Sequence, residues 1–352
     1  MQESVRSIQF LRFIAASLVV LSHSVLAADH YFAGSIPPST IYLTNFGASG
    51  VHIFFVISGF VMVYTSFRKN SEFSSEVFLT RRFIRIFPIF WIYAAMYMLA
   101  HQTVLQTYDL SVQDIFKSLL LLPGHSSSII GPGWTLSFEV YFYICFAIFM
   151  SSGPLRGLIL MTLFFVASIL IGSRVHSENA AFHVATDTLL IEFLAGAWIG
   201  YFFVTGNKLS NLWSNVLLAL AVSGFVVGLA YGYHQLPSIL MWGVPSALLI
   251  SGFVFKERAA HLPGLVQRFS FLGDSSYSLY LVQILLIDLF LTGFVAAFGN
   301  PGSGYLVICL ALTLSCILVA LLLYELVEHR VVSGLQAWVR DYFSARMAKR
   351  AI

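Results

Sequence analysis

The feature that most constrains the fold is a series of long apolar stretches in which charged residues are almost missing. Lys, Arg, Asp and Glu make up 10% of the residues and apolar types 58%, whereas a soluble domain carries roughly 25% charged residues. Charges this sparse cannot cover a globule in water, so most of the surface must face the lipid bilayer. We therefore predict an all-α, polytopic integral membrane protein.

Ten stretches are long enough to cross a bilayer, for which a helix needs about 20 largely apolar residues. Residues 110–122 are too short to span and are predicted to form a re-entrant or interfacial helix. No linker divides the chain, so residues 1–330 are predicted to form one transmembrane domain, followed by a short basic cytoplasmic tail at 331–352. The predicted spans are residues 8–27, 46–66, 84–101, 134–150, 157–173, 187–205, 212–231, 237–255, 274–298 and 304–327.

The loop charges orient this topology. With ten spans, all of the 19 basic residues except Lys117 and Arg174 fall on the side of the N-terminus. Basic loops stay in the cytoplasm, so both termini are predicted to be cytoplasmic.

Residues 13–27 also resemble a cleavable signal peptide. Arg12 and His23 are poor residues for such a peptide, and its removal would leave an odd number of spans.

Ionisable side chains inside the spans are the candidates for function, because they are costly in hydrocarbon. Arg12 and His23 lie on the first span, eleven residues apart. That separation is about three helical turns, so both face the same way, roughly 16 Å apart along the axis. This face of the first span, the Arg12 and His23 stripe, carries a cation near its cytoplasmic end and an imidazole near its outer end. A snorkelling anchor and a headgroup contact are the structural alternatives.

Two further groups stand at the ends of spans. Arg82 and Arg85, at the predicted cytoplasmic start of the third span, share a helix face and suit bidentate binding of phosphate. The alternative explanation is that these arginines only follow the general excess of basic residues on the cytoplasmic side of membrane proteins.

Glu139, about one and a half turns inside the fourth span, is predicted to lie at the depth of His23 and to orient its imidazole. The alternative is a structural role, in which the Glu139 carboxylate accepts hydrogen bonds from a tyrosine or from the backbone.

Net charge and histidine spacing bear on whether nucleic acid or a metal ion is a partner. The formal charge is +3 without a basic stripe interleaved with aromatics, so nucleic acid is not expected as a partner. The histidines show no metal-ligand spacing, and we predict no metal. The candidate substrate-binding residues are Trp134, Ser137 and Tyr277.

Taken together, these elements resemble acyltransferase family 3, membrane-bound enzymes that include O-acetyltransferases of bacterial surface and secreted polysaccharides. The resemblance runs from Ser7 to Glu328. The matching elements are Arg12 with His23, Arg82 with Arg85, the segment from Gly131 through Trp134 to Glu139, Ser58-Gly59-Phe60, and residues 276–281.

The chain departs from the family pattern at two places. Gln283 stands where many relatives carry His, so we exclude this position from proton transfer. The last span ends in Glu328-His329-Arg330 where Glu-x-Pro is common, which leaves the role of Glu328 open.

The resemblance implies a multi-pass enzyme of the bacterial inner membrane that uses cytosolic acyl-CoA, most often acetyl-CoA. The acceptor would be a saccharide or glycolipid hydroxyl at the outer face. Arg12, Arg82 and Arg85 would hold the coenzyme A phosphates, while His23, assisted by Glu139, would act as general base or as a transient acyl carrier. A proton-coupled transporter or flippase of a glycan precursor is the alternative.

Overall fold

The protein is helical throughout the part that the computed structural model describes. These are residues 5–32, 34, 36–68, 73–105, 110–231, 236–301 and 304–350, with side chains up to residue 343. No strand occurs in these ranges, so the all-α prediction is confirmed. The α-helices are α1 (Arg6–Tyr31), α2 (Pro38–Leu43), α3 (Ala48–Phe67), α4 (Ser75–Ala100), α5 (Val112–Leu119), α6 (Trp134–Met150), α7 (Pro154–Gly172), α8 (Ala180–Thr186), α9 (Leu190–Val204), α10 (Asn211–Tyr231), α11 (Val244–Arg258), α12 (Gly264–Phe269), α13 (Ser276–Phe298), α14 (Tyr305–Leu323) and α15 (His329–Arg350).

Ten helical segments in the described part are long and apolar enough to cross a membrane, which confirms the predicted number. The protein is therefore a multi-pass membrane protein. The short helix α5 lies between the third and fourth segments. The segments are Arg6–Tyr31, Pro38–Phe67, Ser75–Leu105, Gly131–Met150, Pro154–Gly172, Ala180–Val204, Asn211–Tyr231, Ile239–Arg258, Gly264–Phe298 and Tyr305–Phe343.

The third span begins earlier than its apolar run predicts. Its helix starts at Ser75 rather than at residue 84, and the Ser74 side chain caps it by accepting from the Val77 N–H at 3.4 Å. A polar capped turn adds helix without adding hydropathy. Arg82 and Arg85 therefore lie about two and three turns inside the helix, not at its start.

The last two spans are also longer than predicted. Helix α12 and a 3₁₀ turn, Ser270–Ser275, lead directly into α13. A π-helical turn, Tyr324–Glu328, joins α14 to α15, so most of the predicted tail at 331–352 continues the tenth span as a helix. The division at residue 330 and the cytoplasmic location of the tail stay predictions.

Two contacts between helix ends fit spans that alternate in direction. At one end of the bundle the Arg6 N–H donates to Glu257 at 2.8 Å, joining the start of α1 to the end of α11. At the other end the Tyr42 hydroxyl donates to the Leu229 carbonyl at 2.6 Å, joining α2 to the end of α10. We call the first the basic end, because the predicted topology gathers the basic residues there, and the second the opposite end.

Helix α1 lies inside the bundle, where it contacts α3, α13 and α14. One close approach fixes its basic end: a Cβ on Gly273 would lie 1.9 Å from the Gln9 carbonyl oxygen. The residues of α1 that pack on neighbouring helices include Leu11, Ala15 and Val19, all less than 4% exposed. This packing fixes the rotation of α1, and with it the direction of the Arg12 and His23 stripe.

Helices α3 and α9 pack closely through small residues. A Cβ on Gly196 would lie 1.9 Å from the Val56 carbonyl oxygen, and a Cβ on Gly59 equally close to the Phe193 carbonyl oxygen. At the same interface His52 Nδ1 lies 2.6 Å from Glu192 Oε1, with both side chains buried. This interface sets the position of α3, which carries part of the candidate site.

Candidate active site

Three arginines from two helices line one cavity near the basic end. Arg12 comes from α1, and Arg82 and Arg85 from α4. The three residues that were predicted to act together thus face a common space, and their role in binding coenzyme A stays a prediction. Further polar lining comes from Ser58, Glu139, Tyr143 and Tyr277. We call this space the arginine cavity.

Arg85 is anchored by a buried carboxylate. Its Nη1 donates to Glu328 Oε1 at 2.6 Å, and Glu328 is fully buried. The other carboxylate oxygen accepts from Ser278 at 2.6 Å, and Ser278 in turn accepts from Tyr93 at 2.9 Å. The role of Glu328, open from the sequence, is to hold Arg85 at the cavity wall. Its position depends on the π-helical turn that it ends.

Arg82 is held differently, by a hydroxyl and two rings. Its Nη2 donates to Thr65 Oγ1 at 2.9 Å. Its guanidinium lies over the rings of Phe78 and Tyr143, at 5.4 and 5.8 Å from their centroids. These contacts orient a cation without neutralising it with a carboxylate.

Arg12 completes the positive side of the cavity. Its Nη1 donates to Gln9 Oε1 at 3.2 Å, and Gln9 Nε2 donates to Asp274 at 2.5 Å. The cavity wall thus carries three guanidinium groups and a single carboxylate, Glu139. Glu328 and Asp274 offset part of this charge from behind the wall. The cavity surface itself still carries three guanidinium groups against one carboxylate, an arrangement that suits an anion.

Glu139 lies in the arginine cavity and not beside His23. Its Oε1 accepts from Ser58 at 3.1 Å and also from the Tyr143 hydroxyl. The predicted pairing with His23 was wrong because Glu139 lies five residues, about 7.5 Å, further along α6 than Trp134, and it is Trp134 that lines the cavity of His23. Glu139 therefore balances charge among the arginines. Its participation in catalysis stays a prediction.

A second cavity, of about 690 Å³, opens toward the opposite end. His23 lines it from α1, and Trp134 lines it from the start of α6. Tyr42 and Asn45 add an aromatic ring and an amide to the same wall. We call this space the histidine cavity.

His23 contacts Gln283, a residue that the sequence does not predict as its partner. Its Nδ1 lies 3.3 Å from Gln283 Oε1, across from α1 to α13. Gln283 stands where many relatives carry His, and the exclusion of this position from proton transfer stays a prediction. An amide can still orient an imidazole by hydrogen bonding.

The two cavities meet at Tyr280. Tyr280 and Val51 line both of them. The Tyr280 hydroxyl lies 2.9 Å from Thr135 Oγ1 and donates to the Pro132 carbonyl at 3.3 Å, while its ring packs edge-on against Phe54. Val51 and the hydrogen-bonded Tyr280 therefore form a wall that the arginine cavity and the histidine cavity share.

Comparison with known proteins agrees with this architecture. Residues 5–325 match the model of the acyltransferase domain that defines acyltransferase family 3. The chain belongs to this family. Exopolysaccharide production protein ExoZ of Rhizobium meliloti (strain 1021) is 30% identical over 324 residues, which cover 88% of this chain and 93% of the relative. Acyltransferase MdmB of Streptomyces mycarofaciens is 26% identical over 310 residues, 80% of this chain and 78% of the relative. No solved structure matches the chain.

Membership of this family makes the protein an acyltransferase that moves groups other than aminoacyl groups. The family resemblance covered the elements that line both cavities, including residues 276–281, which supply Tyr277 and Tyr280. The described residues contain no group of three or more His, Cys, Asp or Glu that could hold a metal ion.

The three predicted substrate-binding residues lie in different places. Trp134 lines the histidine cavity and Tyr277 the arginine cavity, where Arg85 lies 5.5 Å from the Tyr277 ring centroid. Ser137 lines neither cavity. It is buried and donates to the Leu121 carbonyl at 2.8 Å, in a turn where Leu121 has a φ of 55°. Its contact stabilises that turn, so the structure does not support substrate binding by Ser137.

Proposed function

We propose that this protein is a membrane O-acyltransferase that moves an acyl group, in the simplest case acetyl, from acyl-CoA to a saccharide or glycolipid hydroxyl. The donor enters from the cytoplasm at the basic end. The acceptor binds at the outer face of the bacterial inner membrane. The observation that carries the proposal is that one helix, α1, places Arg12 in the arginine cavity and His23 in the adjoining histidine cavity.

The charge of the arginine cavity supports a coenzyme A donor. Coenzyme A is polyanionic, and guanidinium groups bind phosphate with two parallel hydrogen bonds. Above the arginines the wall is apolar, with Val51, Phe54 and Leu136 among its residues. Such a wall accommodates the uncharged arm of the donor and brings the thioester toward Tyr280.

The histidine cavity supports a hydroxyl acceptor. His23 takes the acceptor proton as the hydroxyl oxygen attacks the thioester carbonyl, the C–S bond breaks, and the coenzyme A thiolate leaves and is protonated. A route through an acyl-histidine uses the same side chain as the nucleophile and returns it unchanged. The aromatic rings of Tyr42 and Trp134 offer flat apolar faces for a sugar ring. The name of the ExoZ relative, an exopolysaccharide production protein, supports a saccharide acceptor.

Labelled transfer tests the proposal against a transporter or flippase. We expect purified protein in lipid vesicles to move label from [¹⁴C]acetyl-CoA into the glycan and glycolipid fraction of the producing cells, with release of one coenzyme A thiol per label. Vesicles without protein give the background. Movement of a glycan precursor across the vesicle membrane without any label transfer would support the transporter instead.

The contribution of the arginine cavity is best tested at Arg82. Arg82→Ala should weaken coenzyme A binding about 10–100-fold, because hydrogen bonds to charged groups contribute about 1.5–3 kcal/mol. Calorimetric titration of purified protein with coenzyme A measures the change. Arg85 is a poorer choice, since its removal leaves Glu328 buried without its cation.

Arg81→Ala is the matched control for Arg82→Ala. Arg81 neighbours Arg82 on α4, but its side chain is exposed and does not line the cavity. It should therefore bind coenzyme A as the unaltered protein does. Equal, weakened binding in both variants would mean that the region acts only through its general positive charge.

A further inference from the structure

The hydrogen bonds of Gln283 determine which way its amide points. Gln283 is fully buried on α13. Its Nε2 donates to the Tyr280 carbonyl oxygen at 3.0 Å, and a carbonyl oxygen can only accept. The amide nitrogen must therefore face Tyr280. The oxygen is then the atom that faces His23 Nδ1, at 3.3 Å.

An amide oxygen is only an acceptor, so the hydrogen in the contact with His23 must reside on Nδ1. We propose that Gln283 is a positioning residue that holds His23 in the Nδ1–H tautomer, which leaves Nε2 unprotonated to receive the acceptor proton or the acyl group. This inference rests on the proposed function. A free imidazole prefers its hydrogen on Nε2, so this tautomer needs a partner at Nδ1.

The neutral amide has a consequence that the predicted carboxylate would not have. A carboxylate at Nδ1 fixes the tautomer and strongly stabilises the imidazolium through its charge, whereas a neutral amide fixes the tautomer and stabilises the imidazolium much less. The other ionisable side chains lining the histidine cavity are Tyr42 and Tyr280. No carboxylate lines this cavity among the described residues. His23 is thus kept as the neutral base that both proposed routes require.

Nitrogen NMR tests the tautomer without reference to activity. Protein labelled with ¹⁵N in its histidine rings is reconstituted in lipid nanodiscs, and the His23 signals are identified by their loss in His23→Ala. We expect protonated Nδ1 and bare Nε2 at neutral pH. In Gln283→Leu the major form should change to Nε2–H. A bare Nδ1 in the unaltered protein would overturn the inference and leave the proposed function untouched.

Kinetics test whether the orientation matters for transfer. With [¹⁴C]acetyl-CoA, Gln283→Leu should lower the transfer rate about 10–100-fold, the loss found when a metal-bound histidine is deprived of the group that orients it through its other ring nitrogen. The KM for acetyl-CoA should not change, because the donor binds in the other cavity. Gln336→Leu, on the exposed part of α15, is the matched control and should keep the full rate.

Gln283→Glu distinguishes orientation from mere packing. It keeps an acceptor oxygen for Nδ1–H, so it should retain the tautomer and most of the rate. Its negative charge stabilises the imidazolium, so the acid limb of the pH–rate profile should move to higher pH. A slow Gln283→Leu enzyme with the unaltered tautomer, or a Gln283→Glu profile at the unaltered pH, would overturn the positioning role. Absence of transfer by the unaltered protein would contradict the proposed function instead.

Discussion

Replacing His23 by alanine should lower acyl transfer by about 10²–10⁴-fold, the range that a positioned general base contributes. The imidazole is the basic side chain of the histidine cavity, whose other ionisable residues are Tyr42 and Tyr280. Alanine is well tolerated within a helix, so α1 should keep its packing. The measurement is label transfer from [¹⁴C]acetyl-CoA in vesicles that contain equal amounts of each protein.

His30→Ala is the matched control for His23→Ala. His30 lies seven residues further along α1, is exposed, and lines neither cavity. We expect it to transfer label at the unaltered rate, while coenzyme A binding remains normal in both variants. Full transfer by His23→Ala at normal protein levels would remove His23 from both the general-base and the acyl-histidine route.

The span number and the stripe on α1 were predictable because both depend on local sequence. An apolar run of about 20 residues identifies a span by itself. The position of His23 relative to Arg12 follows from the helical repeat alone. The structure places both residues on cavity walls, as that repeat predicts, because the remaining faces of α1 pack on neighbouring helices.

The partners of these residues were not predictable, because they depend on the relative depth of separate helices. Hydropathy placed the start of the third span at residue 84 and missed the polar turns from Ser75 onward. The depth of Glu139 relative to His23 likewise depends on how α6 packs in the bundle, and the structure brings Trp134, not Glu139, to the cavity of His23. The contact between His23 and Gln283 joins residues 260 positions apart in the chain. No local pattern in a single sequence reports such a contact.

The closest helix packing in the site region gives the second large effect, on folding. Gly196→Ala should destabilise the protein by about 3 kcal/mol, the upper end of the usual cost of overpacking. The added Cβ would lie 1.9 Å from the Val56 carbonyl oxygen and 2.9 Å from the Phe60 nitrogen. Both are backbone atoms, which cannot move aside by a rotamer change, so α3 and α9 must separate. Small residues at such crossings are what allows membrane helices to approach closely.

Thermal unfolding of the detergent-solubilised protein, followed by the loss of the monodisperse peak, measures this effect. Gly293→Ala is the matched control, since a Cβ at Gly293 on α13 meets nothing within 4 Å. It should raise stability by about 0.5–1 kcal/mol, because alanine restricts the unfolded chain and favours the helix.

Helix α3 also carries Ser58, which donates to Glu139 at 3.1 Å. Gly196→Ala protein that does fold should therefore bind coenzyme A more weakly. Equal melting temperatures for the two variants would contradict the close crossing of α3 and α9.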